Sequence, residues 1–171
     1  MSLTVDNTPP TPEASEPFTP RAEYPRPILV RDQWQSLNGS WLFRVDPGNR
    51  GLTDAWFDGP WTDAQTITVP FSMESAASGI AEAEGAAVVW YQREVIKPEA
   101  WDRRVVLRIG ASDFLTRVFV NGQEVGQHRG GFASFGLDIQ HALMPGRNRI
   151  TIRVEDSLSW TQPRGKQGGT T

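Results

Sequence analysis

Four carboxylates stand where chemistry could use them. Glu82 and Glu84 lie two residues apart in a stretch rich in Ser, Ala and Gly, and Glu155-Asp156 closes the last strand-like run. Two carboxyls held about 5–5.5 Å apart are what double-displacement cleavage of a glycosidic bond requires. Spacing along a chain does not set such a distance. The ordinary reading of all four is as solvated surface acids, because acids are rarely buried without a partner. Asp138 precedes a predicted helical turn and reads as its cap rather than as a ligand group. His128-Arg129 has donors for a sugar hydroxyl, although an exposed polar loop is the simpler role. Trp160 falls outside any strand pattern, and its indole suits a sugar platform and edge packing equally.

Other chemistries are excluded by what the sequence lacks. It holds no Cys and only 2 His, His128 and His141, which lie apart, so no metal site is expected. No nucleophile elbow, Walker loop, zinc-protease helix or dinucleotide fingerprint occurs, and no cofactor is expected. The formal net charge of -3 offers no basic surface for nucleic acid. No run approaches the roughly 20 apolar residues of a membrane span. The first residues are polar and Pro-rich, unlike a secretory leader, and a cytoplasmic protein is predicted.

The elements that must position these groups follow a period of two. Residues 1–27, with Thr8-Pro9-Pro10-Thr11-Pro12, hold too little apolar surface to fold and are predicted to be an extended tail. Residues 28–160 form the predicted folded unit, and 161–171 a polar C-terminal loop. Trp41, Phe43 and Val45 share one face of a strand over 40–45, and further strands are predicted at 66–69, 87–96, 103–109 and 116–120. Asn121-Gly122 marks a type I′ hairpin into 123–126. Strand character resumes over 132–137, a helical turn covers 138–143, and 149–155 closes the pattern with Ile150, Ile152 and Val154 on one face. Residues 52–61 read as a loop or short helix carrying Trp56, Phe57 and Trp61. The connection over 71–87 is long enough to suggest a functional role. Gly130-Gly131 permits a kink or bulge, and Trp41 and Trp90 are expected in the core. With short strands, frequent turns and no long amphipathic helix, the predicted class is all-β, a jelly-roll-like antiparallel β-sandwich.

Several segments, in order, resemble the N-terminal sugar-binding domain of family 2 glycoside hydrolases, the β-galactosidase and β-glucuronidase group. They are Ser36-Leu37-Asn38-Gly39-Ser40-Trp41-Leu42-Phe43, Val69-Pro70-Phe71 with Glu74-Ser75, Trp90-Tyr91-Gln92-Arg93, and Val118-Phe119-Val120-Asn121-Gly122 through Gly126. His128-Arg129-Gly130-Gly131-Phe132 with Phe135 and Asp138 follows, then Asn148 to Val154 and Gln162 to Gln167. The likeness spans about Leu29 to Gln167, and its strength lies in number, order and spacing.

The resemblance implies a galactose-binding-like sandwich acting as an accessory domain of a retaining exo-β-glycosidase. It also implies that the catalytic glutamates belong to a separate barrel, so this chain alone is expected to be inactive. The expected partners are that barrel and a carbohydrate with a terminal β-linked sugar. Family loops that reach the sugar pocket match Ser72, Glu74 and Ser75, and the stretch carrying Asp156, Trp160, Arg164, Lys166 and Gln167. Phe71-Ser72 replaces the Asn that some β-galactosidases place after the Val-Pro pair. A free-standing carbohydrate-binding module is the alternative, and a protein-interaction sandwich with an open sheet edge a third.

Overall fold

The computed structural model describes residues 19–24, 31–81 and 86–156. Among the described residues eight strands form: β1 (Gly39–Val45), β2 (Gln65–Val69), β3 (Val88–Lys97), β4 (Val106–Ile109), β5 (Leu115–Val120), β6 (Gln123–Arg129), β7 (Phe135–Asp138) and β8 (Gly146–Glu155). Six of them form one sheet in the order β2-β1-β3-β8-β5-β6, and β4 and β7 form a second. All pairings are antiparallel. The result is an all-β sandwich, as the alternating sequence requires.

The large sheet is packed on both faces. On its inner face Trp41, Phe43, Ile67, Val118, Val120 and Ile150 form one core, joined by Leu107 of β4 and Met73 of the 71–81 segment. On its outer face Val88, Trp90 and Phe119 form a second core, roofed by Leu52, Trp56, Phe57 and Trp61. Trp41 and Trp90 are thus both buried, but in different cores, because Trp90 lies opposite Arg44 rather than opposite Phe43.

Local chemistry accounts for the turns. Asn121 and Gly122 adopt φ of 51° and 85°, the left-handed pair that a type I′ hairpin needs. The Asn121 side chain then donates to the Ala142 carbonyl and accepts from the Arg149 N–H, tying the hairpin to β8. Gly51 is needed for contact: a Cβ there would meet the Trp90 ring at 2.6 Å.

The strand limits differ from expectation in specific ways. β4 begins only at Val106, because its partner β7 is four residues long. Phe132, Ala133 and Ser134 are not in a strand, and Phe132 is 98% exposed. β8 starts at Gly146, three residues early, because Arg147 and Asn148 pair with Ile96 and Val95. β6 continues to Arg129. The register shift in the sheet lies between Val118 and Phe119, and the chain turns away after β6 at Gly130, φ 123°, and Gly131. Residues 51–57 form successive turns and no helix, and the 71–87 connection contains a 3-10 turn, Ala76–Ser78.

Candidate sugar-facing site

The segment after β2 is folded on itself. Ser75 N–H donates to the Ser72 carbonyl at 3.0 Å, Ser78 N–H donates to that of Ser75, and Ser75 Oγ accepts from Ala77 N–H. Buried Ser78 donates from Oγ to the Met73 carbonyl and accepts from Ile80 N–H. Met73 is driven into the inner core as an anchor, which leaves Ser72 and Glu74 exposed on either side of it. Glu74 faces Tyr91. Burial, and secondly the negative charge of Glu74, pushes the Tyr91 hydroxyl up to about 12. The exposed Ser72 hydroxyl and Glu74 carboxylate offer a donor and acceptors of the kind that read sugar hydroxyls.

Asp156 leaves the end of β8, and its N–H donates to the Ala87 carbonyl at 2.9 Å. Burial raises the Asp113 carboxyl above the usual carboxylate range, and repulsion from Asp156 adds to this. Asp113 in turn packs against the backbone of Gly131, filling the space a side chain there would need. Tyr91 pairs with Ile152, four residues before Asp156. The Glu74–Tyr91 group and the Asp113–Asp156 group therefore attach about 13 Å apart along the sheet, by the usual strand rise.

The other sequence candidates have different placements. Trp160, Arg164, Lys166 and Gln167, like Glu82 and Glu84, lie outside the described residues. Glu155 accepts from the buried Arg153 guanidinium at 2.8 Å, an ion pair that belongs to the outer core. Asp138 ends β7, one residue before the Ile139 that begins the 3-10 turn Gln140–Ala142, and no side chain of Ile139 caps it. The Asp138 carboxylate still accepts from Gln140 N–H, and that bond, then Arg104, holds it below the usual range. The His128 ring stacks on Phe135 at 4.1 Å, and its Nε2 is buried without a hydrogen-bond partner among the described residues. Arg129 lies over Phe114. Tyr91 and Asp113 were not singled out in the sequence. Their signal is purely spatial, since each is defined by a partner 17 or 43 residues away (Glu74 and Asp156). Among the described residues no three His, Cys, Asp or Glu side chains converge on a metal position.

The family model for glycosyl hydrolases family 2, sugar binding domain, matches residues 34–166. The chain belongs to this family. Among curated relatives, this family 2 domain is 38% identical over 146 residues to a β-glucuronidase of Paenibacillus borealis, covering 84% of this chain and 24% of the relative. It is 36% identical over 152 residues to the Homo sapiens β-glucuronidase, covering 81% and 23%. The chain thus spans about a quarter of the length of the curated relatives it matches. Among solved structures, a β-glucuronidase from an uncultured Clostridium sp. superposes with a TM-score of 0.62 at 33% identity, over 72% of this chain and 22% of that one. The Ruminococcus gnavus β-glucuronidase in complex with a C6-substituted uronic isofagomine gives 0.68 at 27% identity, over 76% and 23%.

Proposed function

We propose that this family 2 domain forms one wall of the sugar pocket of a β-glucuronidase-like retaining exo-glycosidase. The observation that carries the reading is the match to β-glucuronidases over most of this chain but a quarter of theirs. In that arrangement the nucleophile and acid/base carboxyls come from the rest of the enzyme, and hydrolysis proceeds through a covalent glycosyl-enzyme intermediate. This chain's part is orientation. Ser72 and Glu74 offer a hydroxyl and a carboxylate, Ser75 holds the turn that presents them, and Asp156 supplies an acceptor for vicinal hydroxyls. Trp160, Arg164, Lys166 and Gln167 are proposed to extend the same wall, with the two cations suited to a uronate carboxylate.

Alone, the chain is expected to leave 4-nitrophenyl β-D-glucuronide intact. Release of nitrophenolate that co-purifies with the chain through orthogonal chromatography steps, and follows its concentration, would overturn the proposal.

A further inference from the structure

The inner face of the large sheet is covered unevenly. One row crosses it from Val118 on β5 through Ile152 on β8 and Tyr91 on β3 to Phe43 on β1. Val118 and Phe43, at the two ends, are fully buried, whereas Ile152 and Tyr91, on the middle strands, are partly exposed. Val154, next on the same face of β8, is partly exposed as well. The inner faces of a sandwich interdigitate to form its core, so exposure on two central strands marks cover that is missing there.

The second sheet explains the gap. β7 lies over β6, the edge strand of the large sheet: His128 stacks on Phe135, and a Cβ at Gly126 would meet the Leu137 side chain at 2.8 Å. β4 stands one strand further in, with Leu107 in the core that holds Val118 and Val120. Beyond β8 and β3, the 71–81 segment packs on β2 and sends Met73 into the same core. Between β4 and that segment, no strand among the described residues covers β8 and β3. The trough is two strands wide, about 10 Å.

The side of β4 that borders the trough is unpaired. Ile139 N–H donates to the Val105 carbonyl at 3.0 Å, so Val105, Leu107 and Ile109 turn their backbone groups toward β7. Val106 and Arg108 turn theirs the other way, and among the described residues no strand meets them. This edge holds no proline and no register shift, and Val106 is 41% exposed. Such an edge is a template for another strand. Because it faces inward above the large sheet, a second folded sandwich is kept from it, whereas a single extended segment is not.

We propose that the trough takes one β-strand donated from outside this chain. The strand pairs through its main chain with Val106 and Arg108, and lays apolar side chains, at every second position, on Ile152, Val154 and Tyr91. β8 ends at Glu155, beside Val154 at one end of the trough, and the part of the Paenibacillus borealis relative that this chain matches is 24% of its length. Most of that polypeptide is thus available to supply the strand. The source of the strand rests on the reading of this chain as one part of a larger enzyme; the slot does not.

The test is a ¹⁵N NMR titration of the full chain with two sets of peptides. One is overlapping segments of about twelve residues from the unmatched part of the Paenibacillus borealis β-glucuronidase, and the other a lysine-flanked Thr-Val repeat. With at least one segment of the first set, saturable shifts at the Val106 and Arg108 amides and slowed exchange of both N–H groups are expected. Val106→Pro removes one free donor without touching a bond to β7, and is expected to weaken binding at least tenfold. Should that variant lose the folded spectrum, N-methylation of the bound peptide at alternate residues, in each of the two phases, decides the matter. One phase is then expected to bind at least tenfold more weakly than the other. Shifts from the repeat alone would support the slot and overturn the enzyme as the source of its strand. No saturable shift from either set at millimolar peptide, shifts that spare Val106 and Arg108, or no weakening by the folded variant or by either methylated form would each overturn the slot.

Discussion

On the inner face of the large sheet, Phe43, Ile67, Val118, Val120 and Ile150 pack against Leu107 and Met73, with Thr116 and Asn148 the buried polar side chains of its strands. On the outer face, burial is shared with hydrogen bonding. Gln92, Thr151, Arg153 and Asp46 are as deeply buried as the aromatics beside them. Gln92 donates to Thr151 and to the Gly59 carbonyl, Arg153 donates to Asn49 and Glu155, and Asp46 accepts from Arg50 N–H, Gly51 N–H and Trp90 Nε1. The inner face is covered by β4 and β7 together with short segments anchored through Met73, Ile139 and Ala142. The outer face is closed by an irregular segment, residues 46–61, whose free backbone groups need side-chain partners. That difference accounts for the ionic and amide groups buried beneath residues 46–61, where the inner face buries Thr116 and Asn148 on its strands and Ser78 in the segment that covers it.

The largest test of the contrast is Phe43→Ala in the inner core. The loss of a fully buried ring is expected to cost about 3–5 kcal/mol. Chemical denaturation should then shift as one transition by every probe. Asp46→Ala is expected to cost somewhat less, about 2–4 kcal/mol, by leaving three N–H donors without their acceptor. Here the comparison sharpens. Hydrogen exchange should show residues 50–61 losing protection before β3 and β8, and equal loss throughout would mean that the two faces unfold as one unit.

Tyr91 offers a pH test of the inner face. Its hydroxyl titrates at about 12 in the fold, against an ordinary value of 10.0. The native state therefore holds a proton that the unfolded chain has released. The stability tied to this proton is fully present below pH 10 and is lost as pH rises from about 10 to about 12. Two units correspond to at most about 2–3 kcal/mol. Denaturation midpoints measured across that window should fall in the parent more than in Tyr91→Phe; parallel curves would show that Tyr91 carries none of the loss. The smallest effect is expected at the exposed Arg147–Glu94 pair. Arg147→Ala should change stability by no more than about 0.5 kcal/mol, because solvent already screens both charges. A larger change by thermal melting would mean that strand-edge ion pairs help hold β3 to β8.

Much of the fold was legible in the chain. The Trp41, Phe43 and Val45 alternation, the Asn121-Gly122 turn and the Ile150, Ile152 and Val154 face all carry a period or a turn chemistry that local sterics enforce. The start of β8 was hidden, because Arg147 and Asn148 have no strand signature and are extended by their pairing with Val95 and Ile96. The stacking of His128 was hidden for a similar reason, since only the fold brings Phe135 onto its ring. Of the candidate wall, Ser72, Glu74, Ser75 and Asp156 were readable through family likeness, whereas Tyr91 and Asp113 are defined by groups far away in sequence.

By itself, then, the sequence determined the all-β class, the register-setting turns and the membership in family 2, because each rests on neighbours a few residues apart or on the order of motifs. Tertiary structure alone decided which tryptophan joins which core, and that Arg44 would be caught between Trp56 and Trp61. Face assignment depends on strand pairing, and a cation's partners depend on which distant segments the paired strands bring within a few ångströms.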